Sequence, residues 1–250
     1  MHSPTHSTAQ PVIPQNLLLM AYRSGIFPMA DAVDDPDIFW VEPKERAVIP
    51  LDGFHCSRSL RKVLRQDRFH VTCNTAFADV VAHCAAMRDD NHGSWISHRI
   101  AASYTALHHA GHAHSVECWQ DNRLVGGLYG VNFDQVFCGE SMFSLSDNAS
   151  KVALAWLVAI MRRAGMRLLD CQFMTDHLAS MGAVSMEQEH YLQLVAKASG
   201  KPCLSIPQAY SSLLEPFTAR KAADQREEAD DVSGASSPGK CIAQSLIHTS

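Results

Sequence analysis

Several common signatures are missing from this sequence. No two of its eight cysteines (56, 73, 84, 118, 138, 171, 203 and 241) form a C-x-x-C pair, so neither a metal cage nor a disulfide framework is indicated. Most of them sit inside apolar patterns and read as reduced core thiols in a reducing compartment. Long apolar runs are absent too: the longest block, residues 152–161, is too short to cross a bilayer. The first fifteen residues hold no Lys or Arg and no apolar run, so no secretory signal is visible. Nor is there an excess of positive charge. The formal net charge of −5 argues against indiscriminate polyanion binding, while leaving room for a local basic patch. Core material is plentiful: 46% of the residues are hydrophobic, enough for one large domain or a domain with a small lobe. A soluble, cytoplasmic protein without membrane attachment is the expectation.

Along the chain, residues 1–14 are rich in His, Ser, Thr, Pro and Gln and are expected to be disordered. A short helix over 16–23, ended by Gly25, and short strands at 38–41 and 46–50 follow. Residues 15–52 then form a small N-terminal lobe that must pack on the rest. From Ser57 the pattern is helical, and Arg58, Arg61, Lys62 and Arg65 fall at i, i+3, i+4 and i+7 on one face. That face is either a solvated surface or a contact surface for a phosphate backbone. Residues 69–72 read as a strand, and Asn74 as the cap of a helix whose Phe77, Val80, Val81 and Cys84 repeat at helical spacing. A polar loop over 88–93 and a helix over 97–109 come next. His108, His109, His112 and His114 suggest a metal, but Gly111 breaks the i, i+4 pairing such a site needs, so a structural role is favoured.

Three strands, over 115–119, 124–131 and 135–143, are joined by tight turns and predict an antiparallel meander. Gly139 inside the third signals a bulge or a close ligand approach. Residues 152–161 are apolar all round and predict a buried helix, followed by a strand over 167–173, so the fold class is α+β. Strand alternation places Asp170 and Gln172 on one face and Cys171 on the other, leaving Cys171 an inert buried thiol. Asp170, ending an apolar strand, either caps the next helix or does chemistry. Glu140, set among apolar neighbours, needs a partner or a task. Phe137, Met142, Leu154, Leu157 and Leu169 either line an apolar slot between these strands or are simply core. Beyond Gly200 the pattern weakens. A charge run over 221–231 and a Ser/Gly/Pro-rich stretch over 232–240 make 201–250 a largely disordered tail.

Many ordered segments together resemble one family. They include Ala21-Tyr22-Arg23 with Gly25-Ile26-Phe27-Pro28, Phe39-Trp40, Ser57-Arg58-Ser59-Leu60, Trp95-Ile96 and residues 111–117. The strongest are residues 124–131, 137–144, Asn148-Ala149-Ser150-Lys151 and 169–177. The family is that of the leucyl/phenylalanyl-tRNA–protein transferases, and the resemblance runs from about residue 17 to 195. It implies a small N-terminal lobe joined to a catalytic domain, residues 53–200, of the acetyltransferase-like (GNAT) fold. It implies an aminoacyltransferase that moves Leu, Phe or, less well, Met from aminoacyl-tRNA to the α-amine of proteins beginning with Arg or Lys. Such transfer marks the acceptor for degradation by the N-end rule. By the same resemblance, Asp170 and Gln172 are the catalytic pair, with Glu140 a carboxylate beside them. Leu128, Phe137, Met142, Leu154, Leu157 and Leu169 form the pocket for the transferred side chain, and Trp40 and Trp95 lie near the tRNA 3′ adenosine. Arg58, Arg61, Lys62 and Arg65 form the basic surface near the acceptor stem. No metal and no organic cofactor is implied.

Two other readings compete. An acyl-CoA-dependent N-acyltransferase of the same fold is disfavoured, because residues 145–150 lack the glycine-rich turn that holds a pyrophosphate at a helix N-terminus. A catalytically silent tRNA- or degron-binding module would keep the basic face and tolerate loss of Asp170.

Overall fold

Seven strands frame the structure, in the order β4-β5-β6-β7-β8-β3-β9. These are β3 (Glu45–Ile49), β4 (His70–Cys73), β5 (Ala113–Gln120), β6 (Arg123–Phe133), β7 (Val136–Ser144), β8 (Leu168–Gln172) and β9 (Val184–Glu187). The computed structural model describes residues 12–86, 94–224 and 237–246, with 219–224 as backbone alone. The leader up to residue 11, the polar loop expected over 88–93 and the charge run from 225 on lie outside the described residues.

The meander forms as expected, and its turns show why. Asp121 and Asn122 between β5 and β6 both take left-handed φ, 50° and 58°, the geometry that matches the twist of a tight hairpin. All pairings are antiparallel except β7 with β8. A parallel pair requires a crossover, and α5 (Ala149–Ala164) supplies it. Residues 152–161 of α5 are buried on every side, as an all-apolar run requires.

Helices cover both faces of the sheet. On one, α5 shares a core with α2 (Arg58–Arg65), α8 (Ile206–Asp224) and α9 (Pro238–Ser245). On the other lie α1 (Gln15–Arg23), α3 (Phe77–Ala86), α4 (His98–His109) and α7 (Gln188–Lys197). Residues 27–29 form β1 (Phe27–Met29), paired with β2 (Phe39–Val41) in a separate two-stranded sheet.

Four expectations change. Glu45–Ile49, grouped with residues 15–52, sits inside the large sheet between β8 and β9. Asn74 does not cap α3: at φ 62° it accepts the Ser115 N–H on Oδ1 and meets His114 Nδ1 at 2.9 Å. The tail is not structureless. Helix α8 packs on α5, with Tyr210 beside Trp156, and α9 packs on α2; Pro216 and weak periodicity hid α8 in the sequence. Within the leader, Ile13 is buried and its N–H donates to Ser103 Oγ at 2.9 Å. No helix of the described residues is long and apolar enough to cross a membrane.

Gly130 of β6 lies directly over β7, where an added Cβ would overlap the Cys138 carbonyl and the Phe137 ring. Gly130→Ala is expected to cost about 2–3 kcal/mol in urea unfolding, the scale of overpacking against a rigid neighbour. A loss under about 0.5 kcal/mol would contradict this packing.

Candidate active site

Strands β7 and β8 run side by side only over residues 136–138 and 168–170. Directly beyond, each carries a bulge. On β7, Tyr129 pairs with Ser141 and Gly130 with Gly139, so Glu140 is the extra residue. On β8, Val48 pairs with Asp170 and Ala47 with Gln172, so Cys171 is extra. A bulge bends its strand and re-aims its side chains. The two bulges open a cavity of about 350 Å³ at the ends of the parallel pair.

Leu128, Met142, Leu154, Leu157 and Leu169 line it, and so does Trp95. Glu140 and Gln172 line it as well, together with the polar side chains of Ser141, Thr175 and His177. Three expected residues do not. Phe137 is fully buried beneath Gly130. Trp40 lies on β2 opposite Pro28, partly exposed, outside the cavity. Asp170 is fully buried and faces away. The alternation argument fails because of the β8 bulge: Cys171 and Gln172 both reach the cavity. The Cys171 thiol is pushed well above the ordinary thiol range by burial, which keeps it inert.

Asp170 is saturated by protein donors. Oδ1 accepts from Arg46 Nε at 2.9 Å and from the Gln172 N–H at 2.9 Å. Oδ2 accepts from Arg46 Nη2 at 2.6 Å and Tyr191 Oη at 3.2 Å. The Arg46 guanidinium, itself fully buried, lies between the Phe27 and Tyr191 rings, 5.0 and 4.5 Å from their centroids, and donates to the Gly25 carbonyl. A carboxylate with four donors keeps no free acceptor for a substrate. Its effect passes to Gln172, whose left-handed backbone, φ 61°, it pins through the N–H.

Glu140 differs. Oε2 accepts from Tyr104 Oη at 2.8 Å and Gln172 Nε2 at 2.9 Å, and Tyr104 in turn meets Tyr22 Oη at 2.7 Å. Oε1 is buried and has no hydrogen-bond partner. Burial pushes the Glu140 carboxyl up to about 7, opposed by the donors Tyr22, Tyr104 and Gln172. With its Nε2 committed to Glu140, Gln172 keeps Oε1 without a partner among the described residues. Glu140 Oε1 is thus buried without a donor beside the cavity, and Gln172 Oε1 meets none among the described residues.

Sequence reasoning missed Arg46, Tyr191 and the roles of Tyr22 and Tyr104. Arg46 left a signal: a lone cation heading the apolar run Ala47-Val48-Ile49 must find an anion when buried. His177 and Thr175 also line the cavity, and Thr175 Oγ1 caps α6 (Asp176–Ala179). Among the histidines weighed as ligands, His108 stacks on Phe77 and His114 is held between Asn74 and Asn132. Among the described residues no group of three His, Cys, Asp or Glu is placed to hold a metal ion. On α2, Ser57 Oγ caps the helix, Arg58, Lys62 and Arg65 are exposed, and Arg61 is half-buried with its Nε enclosed.

Two family models match the chain: leucyl/phenylalanyl-tRNA protein transferase over residues 48–196, and the N-terminal domain of that transferase over residues 15–44. A leucyl/phenylalanyl-tRNA–protein transferase of Novosphingobium aromaticivorans is 54% identical over 264 aligned residues, covering 95% of this chain and 97% of the relative. Proteins of the same name from Rhizorhabdus wittichii and Zymomonas mobilis are 56% and 55% identical. Each covers 75% of this chain, and the alignments span 76% and 70% of the relatives.

Glu140 makes a pH-dependent contribution to stability. Its carboxyl rises from the ordinary 4.5 to about 7 on folding, so in that window the folded state holds a proton the unfolded chain has released. Stability therefore falls as pH rises from about 4.5 to 7, and the full penalty remains above it. Glu140→Gln is expected to remove this term, so that its stability relative to wild type grows by on the order of 3 kcal/mol as pH rises from about 4.5 to 8 in denaturant titrations. Parallel pH profiles for the two proteins would contradict the assignment.

Proposed function

Because the chain belongs to the leucyl/phenylalanyl-tRNA–protein transferase family, we propose that the cavity between the two bulges receives the side chain of an aminoacyl-tRNA and passes that residue to a protein α-amine. The single observation that carries this is the pair of unpartnered oxygens, Glu140 Oε1 and Gln172 Oε1, beside an apolar pocket. An incoming ammonium supplies the donors they lack. The ester is already activated, so the main task is alignment. Glu140 takes one proton from the ammonium, the free amine attacks the ester carbonyl, and the C–N bond forms as the C–O bond to the 3′ ribose breaks; the second proton of the nitrogen goes to the leaving oxygen, and the one on Glu140 is released to solvent. A carboxyl near 7 is matched to an α-amine of ordinary pKa about 8. Asp170 acts as a positioning residue, through Arg46 and the Gln172 backbone.

Leu, Phe and Met fit as donors because Leu128, Met142, Leu154, Leu157 and Leu169 make the pocket largely apolar; such a pocket separates them by only about 1–3 kcal/mol per methylene. Arg or Lys at the acceptor N-terminus is favoured by the negative charge of Glu140. The tRNA stem is assigned to the exposed cations of α2, Trp95 and Trp40 to the neighbourhood of its 3′ end, and the site of action to the cytoplasm. No metal or cofactor takes part in this scheme. The finer fold reading is a GNAT-like domain joined to a small N-terminal lobe. The separate β1–β2 sheet supports that division, as does the gap between the two matched regions, 15–44 and 48–196.

An acyl-CoA donor finds little support. At the start of α5 the Ala149 N–H bonds the Ser146 carbonyl and the Ser150 N–H bonds Ser144 Oγ, so these donors are not free for a pyrophosphate. A silent binding module leaves the two unpaired oxygens unexplained.

The test is transfer of labelled Phe from Phe-tRNA to a peptide beginning with Arg, beside a control beginning with Asp. Wild type is expected to modify the Arg peptide alone. Glu140→Gln is expected to lose about 10²–10³-fold in kcat/KM, with the rate inflection near 7 removed. Transfer to the Asp peptide would overturn the acceptor assignment. No transfer to either, with tRNA still bound, would favour the binding module.

A further inference from the structure

Helix α2 is poorly equipped to stand alone. It has eight residues, and both i, i+4 pairs of cations, Arg58 with Lys62 and Arg61 with Arg65, repel. A helix this short is marginal in water without tertiary packing. Besides α5, its support comes from a part of the chain beyond the matched residues 48–196. Ile242, Ala243 and Leu246, in and just after α9, join the same core as Leu60, Val63 and Leu64 of α2. At one end the Gly239 N–H donates to Asp67 Oδ1 at 2.8 Å, in the turn that ends α2. Gly239 lies so close to the Leu64 carbonyl that any Cβ would overlap it. At the other end Arg162 of α5 donates from Nη1 to the Ser245 carbonyl at 2.9 Å and from Nε to the Leu51 carbonyl at 3.0 Å. The docking leaves Arg58, Lys62 and Arg65 exposed on the opposite side.

We propose that α9 is the buttress of an RNA-binding surface: it holds α2 in place so that Arg58, Lys62 and Arg65 meet successive phosphates of a duplex stem. The inference rests on reading α2 as the tRNA-facing helix. It extends the interaction surface to a C-terminal helix that touches neither the cavity nor the nucleic acid base edges. Gly239 is its key, because only a residue without a side chain lets α9 close on Leu64. Replacing it with a better helix former is expected to weaken docking, although intrinsic propensity alone would favour the change.

The experiment uses the full chain and an RNA hairpin that reproduces a tRNA acceptor stem with its CCA end, titrated at several salt concentrations. Three phosphate contacts give a log–log slope of about −2.7, and Arg58→Glu with Lys62→Glu should flatten it by about 1.8. Gly239→Val is expected to bind the hairpin about three- to tenfold more weakly with a shallower slope. Hydrogen exchange should speed up across residues 60–64 and stay unchanged in β6. Transfer from a 3′-aminoacyl-adenosine, which has no stem, should stay at the wild-type rate. If Gly239→Val does not fold, Asp67→Gly removes the Gly239 acceptor while suiting the left-handed backbone there, φ 45°, and should shift binding in the same direction. Wild-type hairpin binding in the variant that folds, with the charge reversal still weakening it, overturns the buttress. No effect of the charge reversal overturns the assignment of α2 itself.

Discussion

The site depends on one buried ion pair. Arg46 and Asp170 join β3 to β8 and, through Gly25, Phe27 and Tyr191, tie in the turn after α1, strand β1 and helix α7. Taking two charges out of water is costly, and a buried pair often contributes little net stability; removing one partner, however, typically costs about 3–5 kcal/mol because the other charge is left uncompensated. Here the pair is completed by hydrogen bonds on both oxygens of Asp170, and it fixes a geometry that a chain would not otherwise adopt. Gln172 is a non-glycine residue in a left-handed conformation at the end of a strand, held there by the Asp170 carboxylate. Without that anchor the bulge of β8 has nothing to keep Gln172 turned toward Glu140.

This arrangement gives two neighbouring carboxylates different environments. Asp170 is fully bonded and shut away from the cavity. Glu140 is held on one oxygen only, at the cavity wall, with its carboxyl raised by burial into the range where proton transfer at neutral pH is efficient. The bulges that separate their roles also create the pocket, since each halts the parallel pairing and leaves room among Leu154, Leu157 and Leu169. Binding space and polar chemistry arise from the same local irregularity.

Much of this was legible in the sequence. Alternating strands with Asp121-Asn122 at a turn gave the meander, the all-apolar 152–161 gave the buried helix, and Gly139 marked the β7 bulge. Local rules reached no further. Strand alternation misplaced Gln172 because the β8 bulge carries no glycine to announce it. Arg46 and Asp170 are 124 residues apart, and no periodicity links two such positions. Trp40 and Phe137 look alike in pattern, yet one lies on an outlying sheet and the other under Gly130, a distinction made only by packing. Helix α9 was hidden by Ser, Gly and Pro, the composition of a linker; Ser237 and Pro238 instead cap and start it, and Gly239 permits its close approach.

The division of labour between the carboxylates is tested most directly by the single-turnover transfer rate of Asp170→Asn, measured on folded protein across pH. Asparagine keeps an acceptor for the Gln172 N–H while discarding the charge. The inflection near 7, set by Glu140, is expected to persist in the variant, with the rate lowered by a similar factor on both sides of it. Loss of that inflection, with the fold intact, would mean that Asp170 itself handles the proton and that its place in the site has been misread.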